Sequence, residues 1–235
     1  MLKQILSLVG LELTPSNHLD KMISGLGGFV AIALISWLTH RLVGPHAVMP
    51  VLASMGASAV LLFAAPHGQL SQRWPLAMGH LVSGLAGVVS ARLISNPILA
   101  GGVAVGVAIT AMYYLRCIHP PGGATALTAV LGGESLRQIG FQYIVTPVLV
   151  NVAVMLIVGF VFNYPFRWRR YPAGLVHFRS TNGRLSRENW SHALQHIGSM
   201  ADVNEDDLME LHALAVKHAA NGVRSKRSRP AIETV

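Results

Sequence analysis

Acidic residues are scarce in this chain: 10 Asp and Glu stand against 18 Lys and Arg, and between Met22 and Pro165 the one acid is Glu134. A cation pathway through a membrane ordinarily shows buried carboxylates, and a solitary acid behind Gly132-Gly133, in a loop setting, is poor material for one. Charge of either sign is rare, at 12% of residues, and within that block only Arg41, Arg73, Arg92, Arg116 and Arg137 accompany Glu134. With 52% hydrophobic residues and a mean hydropathy of +0.48, the chain is too apolar for an ordinary water-soluble domain. The one cysteine, Cys117, excludes an intrachain disulfide and reads as a small residue packed near a helix end. His46, His67, His80 and His119 form no His-x-x-x-His pair and no cluster with cysteine, so no zinc or iron site and no cofactor is expected. Paired carboxylates and a Gly-x-Ser-x-Gly elbow are both missing, which argues against an intramembrane enzyme.

Long apolar runs are what the chain has instead. Met22–Val43, Pro75–Ser95, Pro97–Leu115 and Gln142–Tyr164 each have the length, about 17 to 25 residues, that a helix needs to cross a hydrocarbon core. They predict an all-α, polytopic transmembrane bundle over residues 22–165. Residues 1–21 read as an amphipathic lead-in at the membrane surface. Residues 166–235 read as a basic linker followed by a short helical tail. Arg167, Arg169 and Arg170, with Trp168 and Tyr171, mark a membrane edge, and the positive-inside rule makes it cytoplasmic. In the tail, Ser186 and Asn204 can cap two amphipathic helices too small to form a core alone, so a homo-oligomer, most simply a dimer, is expected. The sequence pI of 10.3 follows from basic residues in the tail and beside the spans. Lipid headgroups, rather than nucleic acid, are the partner this implies.

Two segments of another kind lie between the spans. His46–Ala65 and His119–Gly132 are rich in Gly, Pro, Ala and small hydroxyls, and Gly56-Ala57-Ser58-Ala59 aligns with Gly123-Ala124-Thr125-Ala126 at an offset of 67 positions (56 to 123). The same offset lays Pro75–Ser95 on Gln142–Phe162. The bundle therefore reads as two repeats of span, small-residue helix, span. The copies are inverted if the middle segments cross the membrane and parallel if they only dip into it, the inverted form being favoured.

His119-Pro120-Pro121-Gly122-Gly123-Ala124-Thr125-Ala126 resembles the signature of the HPP family of integral membrane proteins, over residues 17 to 170. The resemblance implies a membrane transporter, since plant plastid members are associated with nitrite. Many bacterial members add tandem CBS domains behind a linker like Leu185–Leu214. A bacterial inner membrane is the expected location, with the C-terminus cytoplasmic by the positive-inside rule.

The same residues carry a physical reading. A helix starting at Gly122 or Gly123 leaves its first N–H groups without internal partners, and with the helix dipole they make a positive end that suits an anion. Two copies would bring Gly56, Ala57 and Ser58 together with Gly122, Gly123, Ala124 and Thr125 at one midplane site, with Ser58 and Thr125 as hydroxyl donors. The bland alternative is that the glycines allow close packing and the hydroxyls bond one turn back. His119, opening the signature, is the preferred donor or proton carrier, and Arg116 sits three residues earlier as an accessory cation. His46, His67 and His80 read as structural, and so do Gly84 with Gly87. The expected function is passage of a small inorganic anion, nitrite by the resemblance. The alternatives are a channel or carrier for a neutral or cationic solute, or a membrane scaffold or sensor.

Overall fold

Asn17 opens the first helix: its side chain accepts from the Leu19 N–H, and Asp20 lies in the first turn where the helix dipole favours an acid. That helix, α1, runs His18–Val43 and stops at Gly44, whose φ of 93° suits a residue without Cβ. Pro45 then occupies the first position of α2, Pro45–Ala64, so the corner is one residue long. A 3₁₀ turn at Gln69–Ser71 leads to α3, Arg73–Leu93. Asn96 caps α4, Pro97–Tyr114, by accepting from Ile98 N (2.9 Å) and Leu99 N (3.1 Å). Next come α5, Pro121–Leu131, and α6, Glu134–Ile139. A π-helical segment at Ile144–Leu149 feeds α7, Val150–Asn163. This computed structural model describes residues 17–172, all helix and connection without a strand among them. The lead-in before Asn17 and the tail helices after Pro172 lie outside the described residues.

Four stretches are long and apolar enough to span a bilayer: His18–Leu42, Arg73–Leu93, Pro97–Tyr114 and Ile144–Asn163. Each falls where a long apolar run predicted it. The protein is an all-helical integral membrane protein, and large apolar side chains such as Phe29 and Ile98 point outward, as lipid requires. The last span departs from a continuous helix. Thr146 is extended (φ −131°, ψ 109°) ahead of Pro147, which has no N–H to donate to the ladder.

Contacts fix the helix directions. Trp74 Nε1 donates to Leu115 O (3.1 Å), placing the start of α3 beside the end of α4. Tyr171 Oη donates to Ser71 O (3.0 Å). Arg169 joins Asp20 of α1, Phe63 O of α2 and Asn163 of α7. Helices α1 and α3 therefore leave this end, while α2, α4 and α7 return to it.

Helix α5 runs parallel to α3 and very close to it. A Cβ on Gly79 would fall 2.5 Å from His119 Cβ, one on Gly122 2.6 Å from Ser83 Oγ, and one on Gly87 2.5 Å from Ala126 O. The reading of Gly87 as a packing residue is what this contact shows, and Gly84 is looser, at 3.7 Å from Ile144. Gly79 is six residues past Arg73, so α5 starts about 9 Å inside the bundle. With 11 residues it rises about 16 Å, half of a ~30 Å hydrocarbon core. The trio α4, α5, α7 runs in the opposite sense to α1, α2, α3. Its short helix is far shorter than the 20 residues of α2.

The expectation that Arg167, Arg169 and Arg170 all face headgroups is corrected at its middle member. Arg169 is fully buried and pairs with Asp20, while also bonding Ser24 Oγ (3.1 Å), Asn163 Oδ1 (3.1 Å) and the Phe63 carbonyl. Its fork of five N–H donors finds acceptors on three helices, which offsets the cost of burying the charge. Tyr171 is buried with it, so this part of the predicted aromatic edge is core.

Candidate functional site

The small-residue stretch of α2 and the signature of α5 both place a hydroxyl against α3. Ser58 and Thr125 are fully buried, and so are His80 on α3 and His119 in the connection before α5. Ser58 Oγ stands 2.8 Å from His80 Nε2 and 2.9 Å from His119 Nε2. Thr125 Oγ1 is 2.6 Å from His80 Nδ1, and His119 Nδ1 is 2.8 Å from Leu70 O. The two rings meet edge to face with centroids 5.0 Å apart.

Hydrogen-bond bookkeeping orients this chain. A carbonyl only accepts, so His119 Nδ1 carries its proton toward Leu70 O, and the neutral ring offers a lone pair at Nε2. The Ser58 hydroxyl has one proton and faces two imidazole nitrogens. It donates to His119 Nε2 and accepts from His80 Nε2–H, which leaves His80 Nδ1 to accept from Thr125. Every ring nitrogen and hydroxyl of this cluster is then satisfied. Tyr143 holds the far end by donating to Thr125 O (3.0 Å).

The other residues singled out in the sequence fall as follows. Gly56, Gly123 and Ala124 are half-buried and Ala57 is exposed. A Cβ on Gly56 or Gly123 meets nothing within 4 Å. Gly122 is buried against Ser83 and the Gly79 backbone, a close-approach glycine. The N–H groups expected to be unpartnered at the α5 start are engaged: Gly122 N donates to His119 O (2.8 Å) and Gly123 N to Pro120 O (3.0 Å). The reason is the tight turn by which the chain enters the helix. Arg116 is exposed with φ 52° just beyond α4. His67, read as structural, bonds the Arg170 carbonyl (3.2 Å). The side chain of His46 lies outside the described residues. Among the described residues no His, Cys, Asp and Glu gather into a metal-binding group.

His80 is the residue the sequence reading undervalued. Its signal is a stripe, His80, Ser83, Gly84, Gly87 and Ser90, all buried on one face of an apolar span. The contribution of Asp20 was likewise invisible until Arg169 was placed beside it.

The HPP transmembrane region matches residues 14–172, which is most of the chain. This protein belongs to the HPP transmembrane family. The HPP match contains the whole buried cluster and the Asp20–Arg169 pair. Two transmembrane proteins of Dictyostelium discoideum are also similar. One is 37% identical over 153 residues, covering 63% of this chain and 49% of the relative. The other is 35% identical over 151 residues, covering 63% and 53%. This HPP chain thus spans about half the length of the curated relatives it matches. No solved structure matches it.

Proposed function

We propose that this HPP protein carries a small inorganic anion across its membrane, nitrite being the first candidate because of the association with plastid members. The observation that carries the reading is the buried cluster Ser58, His80, His119 and Thr125, which joins α2, α3 and α5 at membrane depth. Among the described residues the carboxylates are Asp20 and Glu134. Asp20 is committed to Arg169, and Glu134 accepts from Gln138 on α6, so neither acid serves the cluster. A site of imidazoles and hydroxyls with no nearby carboxylate holds no counter-charge for a cation, and it turns positive, suited to an anion, when a ring takes up a proton.

We read α1, α2, α3 and α4, α5, α7 as inverted copies meeting at this cluster. Lys21, Arg73, Arg116, Arg167 and Arg170 gather at the end where the described chain begins and finishes, against Arg41, Arg92 and Arg137 at the other. The positive-inside rule supports a cytoplasmic C-terminus, here in a bacterial inner membrane.

Purified protein in liposomes should take up nitrite faster than protein-free liposomes, with nitrate, formate and chloride as comparisons. Rates equal to the protein-free control for all four anions would end the transport reading. Ser58→Ala should reduce uptake at least tenfold while the protein stays inserted and monodisperse.

A further inference from the structure

The cluster has a second self-consistent proton arrangement. In the neutral state Ser58 donates to His119 Nε2 and Thr125 donates to His80 Nδ1. Each hydroxyl also has a carbonyl one turn back in its own helix: Ser54 O lies 3.1 Å from Ser58 Oγ, and Pro121 O lies 3.4 Å from Thr125 Oγ1. If a proton is added at His119 Nε2, that nitrogen becomes a donor to Ser58. The Ser58 proton swings to Ser54 O, and the oxygen now accepts from both rings, which its two lone pairs allow. The alternative is a proton at His80 Nδ1, with Thr125 turning to Pro121 O. The Ser54 carbonyl is the closer acceptor, so His119 takes the proton first. No hydrogen bond is lost in either arrangement.

What the protonated cluster lacks is a counter-charge. On α2 both rings meet Ser58, whose hydroxyl also lies beside the Ser54 carbonyl. On α3 Gly79 packs on His119, and on α5 Thr125 meets His80 with the Pro121 carbonyl behind it. The connection after α2 contributes the Leu70 carbonyl, with His67 further along and its ring turned to Arg170 O. Tyr143 reaches the cluster through Thr125 O, and Cys117, two residues before His119, is a neutral thiol whose pKa burial raises. Arg73 and Arg116 are the nearest cations along the chain, and both are exposed. Among the described residues no carboxylate faces the site. A positive imidazole held there is stabilised by an anion beside it, and the anion by the imidazolium.

We propose that the Ser58–His80–His119–Thr125 cluster binds one proton together with each anion, so that the protein moves the two as a pair. The proton enters from water at one face and leaves with the anion at the other, no covalent bond being made. This inference rests on the anion reading above.

Titration of sodium nitrite and sodium nitrate into the detergent-solubilised full chain at pH 6 to 7, in buffers of different ionisation enthalpy, counts protons taken up per anion bound. The expected count approaches one. Affinity should then weaken about tenfold per pH unit as pH rises. His119→Gln, which keeps a hydrogen-bonding group but cannot titrate in this range, should bring the count close to zero, and His80→Asn should lower it. Anion binding with a proton count of zero in the wild type overturns the pairing and leaves anion transport standing. No anion binding at all in the wild type removes both. An unchanged count in both histidine variants places the proton elsewhere and also overturns the assignment.

Discussion

Ser58 and Thr125 hold opposite nitrogens of a single imidazole: the serine hydroxyl is 2.8 Å from Nε2 of His80 and the threonine hydroxyl 2.6 Å from Nδ1. The two hydroxyls come from different helices, so His80 is pinned between α2 and α5 as well as anchored in α3. Ser58 additionally touches His119. Ser58→Ala should therefore destabilise the protein more than Thr125→Val, because it leaves groups on two rings unpaired where the latter leaves one. Each orphaned buried group costs about 1–3 kcal/mol. Thermal unfolding in detergent, followed by tryptophan fluorescence, gives the order, and a smaller loss for Ser58→Ala would contradict the bonding scheme.

The Asp20–Arg169 pair predicts strong non-additivity. Asp20→Asn leaves a buried guanidinium without its counter-charge and should cost about 3–5 kcal/mol, as should Arg169→Gln. The double variant Asp20→Asn with Arg169→Gln should lose clearly less than the sum. Additive losses in melting temperature would show that the two side chains act independently.

Glycines divide into two groups. Gly87→Leu and Gly122→Leu should fail to yield monodisperse protein, because the added atoms would occupy the α3–α5 contact. Gly123→Leu and Gly56→Leu should fold, since open space surrounds both positions. They should nonetheless lose most anion flux if that space admits the substrate. Size-exclusion profiles read the first expectation and liposome uptake the second.

Orientation is testable with a membrane-impermeant maleimide on intact cells. Arg41→Cys lies at the end of α1 opposite to Lys21→Cys, so one should label directly and the other only after permeabilisation. The positive-inside reading expects Arg41→Cys to be the accessible one. Native Cys117 is buried and supplies little background.

By itself the sequence determined that this is a membrane bundle and where it crosses, because span length is a local property: an apolar run of sufficient length has to be a helix in lipid, whatever surrounds it. The signature around His119 was equally legible, as a proline-glycine break is local chemistry. The tertiary structure decided what pairing decides. His80 reads as a lone histidine in α3 until two helices present Ser58 and Thr125 to its two nitrogens. Arg169 reads as a headgroup cation until Asp20, 149 positions away along the chain, turns it inward. Glycines with the same local context separate into close contacts and open space only when the neighbouring backbone is in place. Charge burial and hydrogen-bond satisfaction depend on partners far apart in sequence, and only the packed fold specifies those.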